Sequence, residues 1–129
     1  INRPPPISTL YPYTTLFRST INGYSGALWT GVTTLTLAKA MEKAIDENLC
    51  GLYNLVNNES ISKFDLLNLF NSYFRENKII IEKEEKLQLD KSLRNTRKDF
   101  SFEVPSYVQM LLEMKVWLKT HSNFYPHYK

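Results

Sequence analysis

The side chains best suited to chemistry lie in two short stretches. Lys91, Arg94 and Arg97 alternate with Ser92 and Asn95 in the run Asp90-Lys91-Ser92-Leu93-Arg94-Asn95-Thr96-Arg97. Arginine presents a planar fork of donors that grips phosphate through parallel hydrogen bonds, and lysine adds a point charge. The cluster therefore suits a pyrophosphate. A solvated basic loop, partly neutralised by Asp90 and Asp99, is an equally good reading. The second stretch is Trp29-Thr30-Gly31, an aromatic ring beside a glycine backbone. It fits the wall of a ligand pocket, or an indole packed against a neighbouring domain. His121 and His127 have no carboxylate nearby, so no metal site is expected. The single Cys50 excludes a disulfide framework and is expected to fill the core rather than to react.

Three helices are expected to position these residues. Leu37, Ala38, Met41, Ile45 and Leu49 recur at helical spacing, with Thr33 or Thr34 as the cap and Gly51 as the stop. Ser62-Lys63-Phe64-Asp65 resembles a capping box and opens a second helix, with Phe64, Leu67, Phe70 and Phe74 on its core face. Ser106, after Pro105, caps a third helix with Tyr107, Met110, Leu111, Met114, Trp117 and Leu118 on one face. Two short strands are expected, over Leu52–Val56 and over Lys78–Glu84. Residues 20–32 read as loop with at most one short extended piece, and residues 86–105 as a long loop carrying the basic cluster. Helices alternating with strands place the chain in the α/β class. Two short strands make a poor sheet on their own, and extending the sheet of another domain would satisfy them.

The 129 residues are enough for one domain. No run approaches the roughly 18–20 apolar residues of a membrane span. The net charge of +3 is unevenly distributed. Residues 1–19 hold four of the six prolines and no acidic residue, and their only charges are Arg3 and Arg18. Without those two arginines, 14 basic side chains face 13 acidic ones, a net of +1. That balance argues against a nucleic-acid partner. Residues 9–19, Thr-Leu-Tyr-Pro-Tyr-Thr-Thr-Leu-Phe-Arg-Ser, are similar to the translation of a short-read sequencing adapter, differing at Tyr11 alone by one base. The expectation is that residues 1–19 are an assembly artefact and that the genuine chain is cut at its N-terminal side near Thr20. A polyproline ligand or a transit peptide would also give a Pro-rich, acid-free start.

From Trp29 onward the chain resembles the C-terminal part of extended short-chain dehydrogenases/reductases, in particular those like dTDP-4-dehydrorhamnose reductase. The resemblance rests on an ordered series of segments. These are Trp29-Thr30-Gly31-Val32-Thr33-Thr34-Leu35, Gly51-Leu52-Tyr53-Asn54-Leu55-Val56, Ile61-Ser62-Lys63-Phe64-Asp65, Asp90-Lys91-Ser92-Leu93 with Arg97, and Pro105-Ser106-Tyr107. It implies that residues 20–129 are the substrate lobe of a Rossmann-type reductase whose Rossmann domain is missing. The parent would use NADP or NAD to reduce a keto group on a nucleoside-diphosphate sugar, in the cytoplasm, for surface polysaccharide synthesis. Trp29, Thr30, Gly31, Lys91, Arg94 and Arg97 would contact that sugar nucleotide. The family's catalytic pair is Tyr-x-x-x-Lys. Tyr125-Pro126-His127-Tyr128-Lys129 matches it in letters, but Pro126 breaks the helical spacing, and the family keeps the pair upstream of this region. Gly23, Gly26 and Gly31 lack the spacing of a phosphate loop and no strand precedes them. This chain is thus expected to carry no catalytic residue and no cofactor site, and to be inactive alone. The alternative is a standalone, non-catalytic α/β binding or scaffold module.

Overall fold

The computed structural model describes residues 20–126. The expectations for residues 1–19, and for the part of the Tyr125–Lys129 motif from His127 on, lie outside them. The three helices form where the apolar periodicity places them: α1 (Thr34–Asp46), α2 (Lys63–Phe74) and α3 (Tyr107–Thr120). Each begins at a hydroxyl that accepts a backbone N–H of the first turn: Thr33 from Thr36, Ser62 from Asp65 and Ser106 from Gln109. Helix α1 stops earlier than Gly51. Asn48 takes a left-handed φ of 52°. Its N–H bonds Ile45, and the N–H of Leu49 bonds Ala44 at 2.9 Å. These two bonds close the helix end, and asparagine tolerates the conformation they need.

The strands differ from expectation. Among the described residues there are five, β1 (Thr20–Tyr24), β2 (Ala27–Trp29), β3 (Ile61–Ser62), β4 (Ile80–Glu84) and β5 (Leu89–Lys91), in place of two. Strand β1 pairs in parallel with β4, and β2 pairs in parallel with β5 and antiparallel with β3. Residues 20–29, where at most one short extended piece is expected, thus form a two-piece ribbon alongside residues 80–91. Leu52–Val56 is not a strand. Side chains tie that segment down instead: Asn54 Nδ2 donates to the Arg94 carbonyl at 2.9 Å, and Asn58 exchanges two hydrogen bonds with the Asn95 backbone. The architecture is mixed α/β with small sheets.

Helix α2 lies on the β1–β4 sheet so closely that a Cβ at Gly23 would meet the Phe64 ring at 2.7 Å. Its one buried residue is Asn71, not a phenylalanine. The Asn71 amide donates to the Ile79 carbonyl at 2.7 Å and accepts the Ile79 N–H at 3.1 Å. A side chain here completes the backbone pairing at the start of β4. The Phe70 ring is half-exposed, so the expected core face of α2 is only partly covered. The buried apolar core gathers Ala27, Ala40, Val56, Phe100, Tyr107, Met110 and Leu111. Tyr53 meets Phe100 edge-on at 5.2 Å. Lys39 and Glu113 join α1 to α3 at 2.7 Å. Cys50 is exposed rather than a core plug. Among the described residues no helix is long and apolar enough to cross a membrane.

Candidate functional site

Strand pairing brings together two residues separated by 62 positions in the chain. Trp29 in β2 and Lys91 in β5 are direct partners in the parallel register. Both line a pocket of about 380 Å³ whose walls include Ile61, Leu66 and Leu89. Strand side chains alternate between faces, so Leu89 and Lys91 share the pocket face while Asp90 lies on the other. Asp90 is occupied there: it accepts the Ser92 N–H at 2.8 Å and the Ser92 hydroxyl. Those bonds hold the Asp90 carboxyl below its ordinary pKa. A second cation, Lys63, also lines the pocket. It opens α2 directly after the Ser62 cap. Asp65, one turn on, accepts the Ser62 hydroxyl at 2.6 Å. The result is an apolar pocket with an indole wall and two lysines on its lining, suited to an anion with an apolar or aromatic body.

The Trp29-Thr30-Gly31 backbone is fixed from three sides. The Trp29 indole lies directly on Gly31, where a Cβ would fall 1.9 Å from its ring. Only glycine allows that approach. Thr30 is buried, and its hydroxyl accepts the Leu93 N–H at 2.7 Å. That bond anchors the loop after β5 to the end of β2. Tyr107 of α3 is buried alongside and donates its phenol to the Glu59 carbonyl at 2.7 Å. Burial raises the Tyr107 pKa, partly opposed by the hydrogen bond from the Gly31 backbone.

The expected basic cluster is split. Lys91 faces the pocket, whereas Arg94 and Arg97 do not line it. Arg94 is exposed and acts electrostatically on Asp90. Arg97 makes a fork on Asp99, with Nε to Oδ1 at 2.9 Å, while Nη1 donates to the Leu52 carbonyl at 2.8 Å. Its guanidinium also lies 5.7 Å from the centre of the Tyr53 ring. The Arg97 fork lowers the Asp99 pKa. Arg97 thus clamps the 50s segment to the loop, and a phosphate would have to displace Asp99 to reach it. Lys63 was missed from sequence. Its one signal was a cation at the first helical position, where the helix dipole disfavours positive charge.

Contrary to expectation a strand, β1, does precede Gly26 and Gly31, but Gly23, Gly26 and Gly31 are all engaged in packing. Phe64 closes on Gly23 and Trp29 on Gly31, while Leu87 O stands 2.4 Å from the place a Gly26 Cβ would occupy. These positions hold neighbouring atoms where a phosphate cradle would need open space. Among the described residues no group of His, Cys, Asp and Glu is arranged to hold a metal ion. Comparison with protein-family models, with curated proteins and with solved structures returns no match.

Proposed function

We propose that this chain is the substrate-side part of an NAD(P)-dependent nucleotide-sugar reductase, similar to dTDP-4-dehydrorhamnose reductase. It contributes binding of the nucleoside-diphosphate sugar and is inactive alone. The observation that carries this reading is the pairing of Trp29 with Lys91 across β2 and β5, at the wall of one pocket. Sequence resemblance selects both residues, and the fold makes them neighbours. Lys91 and Lys63 then meet the pyrophosphate as point charges, and the Trp29 indole meets a flat or apolar part of the ligand. In this reading the cofactor and the catalytic Tyr-x-x-x-Lys belong to the Rossmann domain of the parent. The parent enzyme works in the cytoplasm.

The test is a calorimetric titration of the chain with a dTDP-sugar and with NADPH, beside an assay of NADPH oxidation. Weak binding of the dTDP-sugar is expected, weakened by about ten-fold in Lys91→Glu and in Lys63→Glu, with no turnover. Turnover by this polypeptide alone, or dTDP-sugar affinity unchanged in both variants, would sink the proposal.

A further inference from the structure

A second and larger cavity goes beyond this reading. A groove of about 1360 Å³ opens between α2, α3, the start of α1 and one face of the β1–β4 sheet. Its floor is Ile21 and Ile81, register partners across the sheet, and its walls include Phe70 and Phe74 of α2 and Leu118 of α3. The three charged side chains on its lining are all basic: Arg75, Lys115 and Lys119. Among the described residues none of them is held in an ion pair. Glu76, which acts electrostatically on Lys115, is itself paired with Lys78 at 2.7 Å.

Size and charge together indicate the occupant. Small-molecule pockets run to about 1,000 Å³, and this groove exceeds that. A helix about 10 Å across would fill such a volume over roughly three turns. Two helices above an apolar floor offer the kind of groove in which a third helix lays its apolar stripe. The basic rim demands carboxylates on either side of that stripe. None of the three described α-helices supplies them. Acidic and basic residues balance in α1 and in α2, and α3 carries more lysine than glutamate. The geometry points to a protein partner that seats an amphipathic helix in this groove, its apolar stripe on Ile21 and Ile81 and its carboxylates against Arg75, Lys115 and Lys119.

The test uses the full 129-residue chain and two fluorescein-labelled synthetic helices of about four turns. They share one leucine and phenylalanine stripe. One carries glutamate along both rims, the other lysine. Fluorescence anisotropy is expected to show the glutamate peptide binding roughly ten-fold more tightly, with the difference shrinking as salt rises. The double variant Lys115→Glu/Lys119→Glu, on exposed positions, is expected to reverse the preference. Phe70→Ser is expected to weaken both peptides. Equal affinities, or no binding of either peptide, overturn the inference without recourse to any variant. So does a concentration-dependent dimer in sedimentation that the glutamate peptide fails to dissociate, which would give the groove to a second copy.

Discussion

A single glycine governs the geometry of the candidate pocket. The Trp29 indole rests on the bare Cα of Gly31, in the space a methyl group would need. Gly31→Ala therefore has to move either the indole or the backbone. Overpacking of this kind costs about 1–3 kcal/mol. The expected outcome is a lower urea midpoint together with a shifted tryptophan emission, since Trp29 is one of only two tryptophans. A variant with unchanged emission would mean that the indole does not lie on the glycine. Thr30→Val probes the neighbouring contact. It removes the hydroxyl that accepts the Leu93 N–H and leaves that donor without its partner, at a cost of about 1–3 kcal/mol. Amide exchange at Leu93 should accelerate more than exchange in α3. Sequence pointed to Trp29, Thr30 and Gly31 by their types, but not to the contacts that make them a unit. Those contacts reach across the chain to Leu93 and Tyr107, and no local pattern encodes them.

The helices were legible because each carries its own evidence: a period of apolar residues and a capping hydroxyl at the start. The strands were not, because each owes its existence to a partner far along the chain. Thr20–Tyr24 has no strong alternation and becomes a strand through β4, sixty residues on. Leu52–Val56 has the composition of a strand but no strand partner among the described residues. Asn71 shows the same dependence from inside a helix. Its amide supplies both a donor and an acceptor to Ile79, and it is buried. Asn71→Leu would leave the Ile79 N–H and carbonyl unsatisfied, and a loss of about 2–4 kcal/mol is expected in denaturant unfolding. Asn71→Asp would keep the acceptor and lose the donor, so it should fall between wild type and leucine in magnitude or below both if the carboxylate is charged. The loop after β5 responds to acid. Asp90 and Asp99 both titrate below their ordinary value of 3.8, through hydrogen bonds from Ser92 and from Arg97 respectively. A carboxylate with a depressed folded pKa stabilises above its unfolded pKa and loses that contribution as pH falls through the folded one. Loop order measured by amide exchange at Ser92 is therefore expected to hold from pH 7 to about 4 and to fall below it. Asp90→Asn should remove the acid transition at Ser92.

At the scale of the whole molecule, the core buried among the described residues is small for the surface it must hold together. Two of its seven apolar members are alanines, and the side chains deepest in it are Met110 and Leu111 of α3. Meanwhile Met41, Ile45, Leu52, Ile80, Val116 and Phe124 are each more than half exposed. Exposed apolar residues are ordinary when scattered, but here the large groove adds further apolar surface. The balance implies a low reserve of stability, toward the bottom of the roughly 5–15 kcal/mol range of folded domains. Leu111→Ala removes a fully buried side chain and costs about 2–5 kcal/mol, an amount comparable with that whole reserve. The variant is expected to lose its cooperative thermal transition by circular dichroism at 25 °C. The exposed position Val116→Ala, on the same helix, should leave the transition within about 0.5 kcal/mol of wild type. The folded wild-type chain is expected to bind a hydrophobic dye before any unfolding begins. A helix seated in the groove should suppress that dye signal and raise the midpoint together, because both follow from covering the same surface. Dye binding that persisted at full occupancy of the groove would place the exposed apolar surface elsewhere, on the outer stripes of α1 and α3.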